Sequence, residues 1–170
     1  MDAITLMKQE VRWAHDFLEM VTADITQAQL EWIPPGIANP AAAVLAHAVT
    51  DEDFICALLS GKVPLYKGSW AGRTGVSDPR LGMSLEWARS VKVDLAAIRS
   101  YIRAVYAEVD SLLASLTEAD LDRALDLSNL GFETRSLGWA LTALLVSHTN
   151  NMIGELSCLK GLQGARGYPF

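Results

Sequence analysis

Apolar residues recur at spacings of three and four through four long stretches of the chain, the period of helices that bury one face. In the first, from about Ala3 to Thr22, Ile4, Met7, Val11, Ala14, Leu18 and Val21 form a stripe that Leu6, Trp13 and Phe17 widen, a breadth suited to a helix with several neighbours. The second opens at Asn39-Pro40 and stops at Gly61, with Ala43, His47, Asp51, Phe54 and Leu58 on one face that is expected to point inward. The third carries Leu95, Ile98, Ile102, Val105, Val109 and Leu112, a regular bundle seam. The fourth, Ser136 to Gly161, reads as one uninterrupted α-helix capped by Ser136. At 100° per residue, Leu137, Leu141, Leu144, His148, Met152, Glu155 and Leu159 share its core-facing stripe. The fold class expected is all-α, a four-helix bundle forming a single domain over 1–170.

Shorter signals punctuate these helices. Thr26 with Gln29, and Thr117 with Asp120, have the spacing of capping boxes and predict brief helical turns after the first and third helices. The segment from Gly61 to Met83 holds five Gly and two Pro in 23 residues, a composition no long helix survives. It predicts a crossover strapped over the bundle by Trp70, or a cover whose Lys67, Arg73 and Arg80 grip an anionic ligand. The apolar end Tyr168-Pro169-Phe170 predicts docking, on this bundle or on a second copy.

Charge and composition narrow the function. A net charge of -6 and the lack of any dense Lys/Arg run exclude a nucleic-acid surface. No stretch approaches the roughly 20 apolar residues of a membrane span, and the first segment has no signal-peptide pattern, so a cytoplasmic protein is expected. Cys56 and Cys158 stand apart in apolar surroundings and are expected to be inert core thiols. No GxSxG elbow and no phosphate-binding Gly-rich loop are present.

The candidate chemistry lies in the polar exceptions on apolar faces. His47, with Asp51 one turn on, and His148 are aimed where the core should be, and a buried imidazole needs a partner. A carboxylate one turn from His47 can fix the tautomer of its ring or join it on a metal. Met152 and Glu155 are expected to line the same pocket. His15 sits at the edge of the first stripe, beside Lys8, Arg12 and Glu19, as a boundary residue that could face the pocket mouth.

With WAHDFLEMVTADITQAQL at the start, LAHAVTDEDF on the second helix and LVSHTNNMIGELSCLKGLQGARGYPF at the end, the chain resembles the DinB-like superfamily over nearly its whole length. The resemblance implies an up-down-down-up bundle with its long crossover between the second and third long helices, and a homodimer. It also implies a zinc or nickel site made by one His of the second helix and an HxxxH pair of the fourth. The chemistry it implies is a thiol-dependent transferase or isomerase using a low-molecular-weight thiol. His47 and His148 match two of those ligands. Met152 stands where the third would be, and a thioether is a poor ligand for such an ion, so zinc or nickel is expected to bind weakly or not at all unless a carboxylate, Asp51 in preference to the more distant Glu155, completes the set. Without an ion, His47, Asp51 and His148 would form a polar network satisfied by water. The alternative is a metal-free, non-catalytic dimeric bundle that binds a small molecule or serves in a stress response.

Overall fold

The computed structural model describes residues Met1–Phe170. Four long helical segments carry the fold: α1 (Ala3–Thr22), α3 (Ala41–Ser60), α5 (Leu95–Ser115), and a continuous fourth helix made of α6 (Leu137–Ala140), a π-helical turn (Leu141–Ser147) and α7 (His148–Leu162). Short helices α2 (Gln27–Glu31) and α4 (Leu85–Ser90) sit in the connections, and a two-residue hairpin pairs β1 (Ala124–Leu125) with β2 (Arg135–Ser136). The sequence reading had no counterpart for α4 or the hairpin.

Contacts at the helix ends fix the directions. Lys160, near the end of α7, donates to Val21 O at 2.7 Å near the end of α1, so these two helices run parallel. Arg99, in the first turns of α5, reaches Thr22 O and Ala23 O, which makes α5 antiparallel to α1. Asp53 meets Tyr101 and Lys62 meets Glu108, so α3 and α5 descend together. The course is therefore up-down-down-up, with the crossover climbing from the end of α3 to the start of α5.

Local signals set most of the boundaries. Asp2, Asp94 and Ser136 each accept the N–H three residues ahead, capping α1, α5 and α6. Both capping boxes form, at Thr26 and Thr117. Gly61 ends α3 in the left-handed conformation, φ 69°, which only glycine adopts without strain. The start of α3 differs from expectation by one residue, since Pro40 occupies the cap and no side chain satisfies the first N–H groups.

The crossover is held by polar side chains of α3. The Asp53 carboxylate is buried and accepts the N–H groups of Leu65 (2.9 Å) and Tyr66 (3.0 Å) and the hydroxyl of Tyr101 (2.6 Å). The Thr50 hydroxyl lies 2.9 Å from Arg80 O, and Asp51 accepts Gly82 N–H at 2.9 Å. Trp70 packs over Tyr101 with ring centroids 5.8 Å apart, the strap that its position predicts. At Gly75 the backbone passes so close to the start of α5 that a Cβ would lie 2.6 Å from Ile98 N.

The π turn changes which residues of the fourth helix are buried. Leu137, Leu141, Leu145 and Thr149 are all in the core at intervals of four. In an α-helix that spacing drifts by about 40° per step. An i→i+5 turn uses more residues per revolution and keeps them aligned. Beyond it, Met152 and Leu156 continue the stripe at α-helical spacing. Leu156 (0% exposed) therefore takes the core place expected of Glu155, and Glu155 is exposed.

Asp53 gathers three donors that would otherwise be stranded, so Asp53→Leu is expected to destabilise the fold by about 2–4 kcal/mol. Tyr101→Phe, which removes one of the three, should cost about 1–2 kcal/mol. Urea unfolding of both variants checks the ranking, and an Asp53→Leu protein as stable as wild type would contradict the anchoring role.

Candidate metal centre

α3 is the innermost helix, buried on nearly every side by Ala41–Ala46, Ala48–Thr50, Ile55–Ala57 and Leu59. The strip carrying His47, Asp51 and Leu58 is its least covered face. This corrects the inward aim expected for that stripe: the alanines pack against the neighbouring helices, while His47 and Asp51 floor an open cavity of about 470 Å³. Across the floor, His148 enters from the first residue of α7, placed there by the π turn, with Leu144 one turn earlier.

His47 and His148 meet edge to edge, Nε2 to Nε2 at 3.1 Å, with the rings 82° apart. Asp51 Oδ1 lies 3.2 Å from His47 Nδ1 and is fixed by the Gly82 N–H. That approach to Nδ1 is close without having hydrogen-bond geometry, and the Nδ1 atoms of both histidines are buried without a hydrogen-bond partner. Burial lowers the pKa of His148, and the neighbouring His47 lowers it further, against smaller opposing effects of Asp51 and Glu52. A neutral imidazole is the form that binds a metal.

The donor atoms of His47, Asp51 and His148 lie within 4.8 Å of one another, so the cluster could hold a metal ion. Two nitrogens on one ion at the usual 2.0–2.1 Å are separated by roughly 2.8–3.4 Å at octahedral to tetrahedral angles. The observed 3.1 Å falls in that interval. A two-nitrogen, one-oxygen set is also a chemically sound ligand group for a borderline divalent ion.

The other expected pocket residues lie elsewhere. Met152 (7% exposed) packs in the hydrophobic core and does not line the cavity. Glu155 faces solvent, for the rotational reason given above. His15 (6% exposed) is not a boundary residue: its Nε2–H donates to Glu52 Oε1 at 2.5 Å and its ring stacks on Tyr106 at 3.6 Å. The buried carboxylate from α3 supplies the partner that lets His15 enter the core. Cys56 is buried, with its thiol pushed up to about 12 by desolvation, whereas Cys158 is exposed and not the core thiol expected. Of the crossover cations, Lys67 stacks on Tyr66, Arg73 on Trp70, and Arg80 pairs with Asp78; none lines the cavity.

Sequence reasoning missed the rest of the walls. Leu81 and Gly82 come from the crossover, and Asn129, Leu130 and Phe132 from the loop closed by the β1–β2 hairpin. Phe132 is steadied edge-on by Trp139 at 5.2 Å. The glycine-rich crossover signalled a candidate cover without naming Leu81, and for the hairpin loop the only local signal was the turn at Gly131, which marks a loop but not the surface it will meet.

The model of the DinB superfamily matches residues 10–151, and the chain belongs to that superfamily. Among solved structures, the chain is similar to the crystal structure of a conserved protein from Enterococcus faecalis, with a TM-score of 0.76 and 19% identity over 95% of this chain and 99% of that one. At that identity the likeness speaks for the fold. No curated protein matches. No helix is long and apolar enough to cross a membrane.

The lowered pKa of His148 has a defined consequence for the metal-free protein. The unfolded chain takes up a proton on this side chain near 6.5, the folded chain only at lower pH. Between those values the unfolded state holds more protons, so the stability is fully present above 6.5 and falls as pH drops below it. Chelated protein should therefore show a falling urea midpoint on that acid side, and His148→Asn should flatten the slope. An unchanged slope in the variant would contradict the assignment.

Proposed function

We propose that His47, Asp51 and His148 hold one divalent ion, zinc or nickel, and that the protein is a metal-assisted transferase or isomerase acting on a small molecule with a low-molecular-weight thiol. The observation that carries this reading is the convergence of two imidazole Nε2 atoms at 3.1 Å, beside a positioned carboxylate, on the floor of an open cavity. An ion bound there would supply Lewis acidity, lowering the pKa of a donor group brought to it so that a nucleophile exists near neutral pH.

The chain's own residues have separate roles in this reading. Burial keeps His148 neutral and ready to bind. The Gly82 N–H orients Asp51, whose carboxylate stands in for the third histidine that Met152 replaces. Three protein ligands leave positions open toward the cavity, the feature that separates reactive sites from closed structural ones. The apolar walls limit water around the reacting groups.

A second reading, a metal-free small-molecule binder, draws on the same 3.1 Å contact, because one ring can donate to the other with no ion present. Elemental analysis and zinc or nickel titration of chelated, untagged protein separate the two. One equivalent per chain is expected, and Asp51→Ala or His47→Ala should weaken uptake by roughly tenfold or more. Failure to take up either ion would remove the enzyme reading and leave the binder.

The protein is further proposed to be a homodimer. Trp13 (50% exposed), Leu6 and Met20 leave an apolar surface on α1 beside the tail, where Tyr168 and Phe170 stack on Phe17. The tail thus docks on its own bundle and extends an apolar patch. Light scattering should give a mass near twice 18.5 kDa, and Trp13→Lys should shift it to one chain.

A further inference from the structure

Outside the three donors, the side chains lining the cavity are Ile55, Leu81, Asn129, Leu130, Phe132 and Leu144. Five are apolar and the sixth, Asn129, is an exposed residue with an uncharged amide. No Lys or Arg is among them. Arg80, next to Leu81, turns its guanidinium to Asp78. The only formally charged side chain on the walls is Asp51, which belongs to the proposed ion site.

We infer that the cavity selects a ligand whose body is uncharged and apolar, such as an alkyl or aryl thiol, and discriminates against thiols that carry a carboxylate. The head of that ligand, in this inference, meets the ion proposed above; the body is what the walls read. A carboxylate carried on the body of the ligand, away from the ion, would lose water against Leu81, Leu130, Phe132 and Leu144 and find no Lys or Arg on those walls to replace it. An aryl or branched alkyl body meets the reverse situation, since it is removed from water against apolar surface and can lie on the Phe132 ring. The volume of about 470 Å³ is that of a small-molecule site. Selection thus comes from the crossover and the hairpin loop, the two connections that wall the cavity.

Calorimetric titration of zinc-loaded protein with phenylmethanethiol and with its para-carboxy derivative tests this. The neutral thiol should bind at least roughly tenfold more tightly. Leu81→Arg and Leu130→Arg, on the two connections, should each strengthen binding of the acid and narrow the ratio, with thermal melts confirming that both variants fold. Equal affinities in wild type, a preference for the acid, or ratios unchanged in folded variants would overturn the inference. Benzyl alcohol and its para-carboxy derivative, titrated into chelated protein, separate this from the ion reading. No zinc uptake with the neutral preference retained removes the ion alone, whereas zinc uptake with no preference removes the inference alone. Absence of binding by either member of both pairs at roughly 1 mM also overturns it.

Discussion

The docking of the crossover onto α3 is the constraint on which the rest of this molecule depends. A connection rich in glycine has few helical hydrogen bonds beyond the short turn Leu65–Lys67 to satisfy its backbone, and it passes over a helix whose residues are mostly apolar. Thr50, Asp51 and Asp53 supply the missing partners for Arg80 O, Gly82 N–H, Leu65 N–H and Tyr66 N–H. Paired in this way, backbone groups lie against an apolar core without the penalty of burial unsatisfied. Because the same contacts fix Leu81 and Gly82, they also set one wall of the cavity and the orientation of Asp51.

Polar groups inside the bundle fall into two kinds. Asp53, Glu52 with His15, and Lys160 have partners: three donors, a ring nitrogen, and Val21 O with Asp24 respectively. These carry their burial through complete or nearly complete pairing. His47 and His148 differ, because each keeps a buried Nδ1 with no hydrogen-bond partner while its Nε2 is turned to the other ring. Incomplete pairing beside an open cavity is the arrangement that the proposed binding site calls for. The Tyr106 hydroxyl and Ser157 Oγ are also buried without a partner, so what sets the α3–α7 cluster apart is that its incompletely paired groups line the open cavity.

Helical periodicity, capping boxes, the Gly61 stop and the glycine-rich crossover were legible in the residues because each depends on neighbours a few positions away. The pairing of His47 with Asp51 was legible for the same reason, being one turn of a single helix. The resemblance of the ordered segments brought His148 to His47. Each of these readings needs only local geometry or an ordered likeness.

What the tertiary structure decided were the features that depend on distant partners. Glu155 was placed by assuming 100° per residue throughout the fourth helix, and the turn Leu141–Ser147 broke that assumption. His15 was placed at the edge because its partner, Glu52, lies on another helix and no spacing within α1 announces it. The stripe of His47 and Asp51 looked inward because apolar residues shared it, yet α3 is surrounded on its other sides and this strip alone opens to the cavity. Leu81, Asn129, Leu130 and Phe132 became a cavity wall only when two connections closed over the same helix pair. Sequence determines the period and ends of a helix through local bonds, but which face is covered is set by what packs there, and that is a property of the assembled bundle.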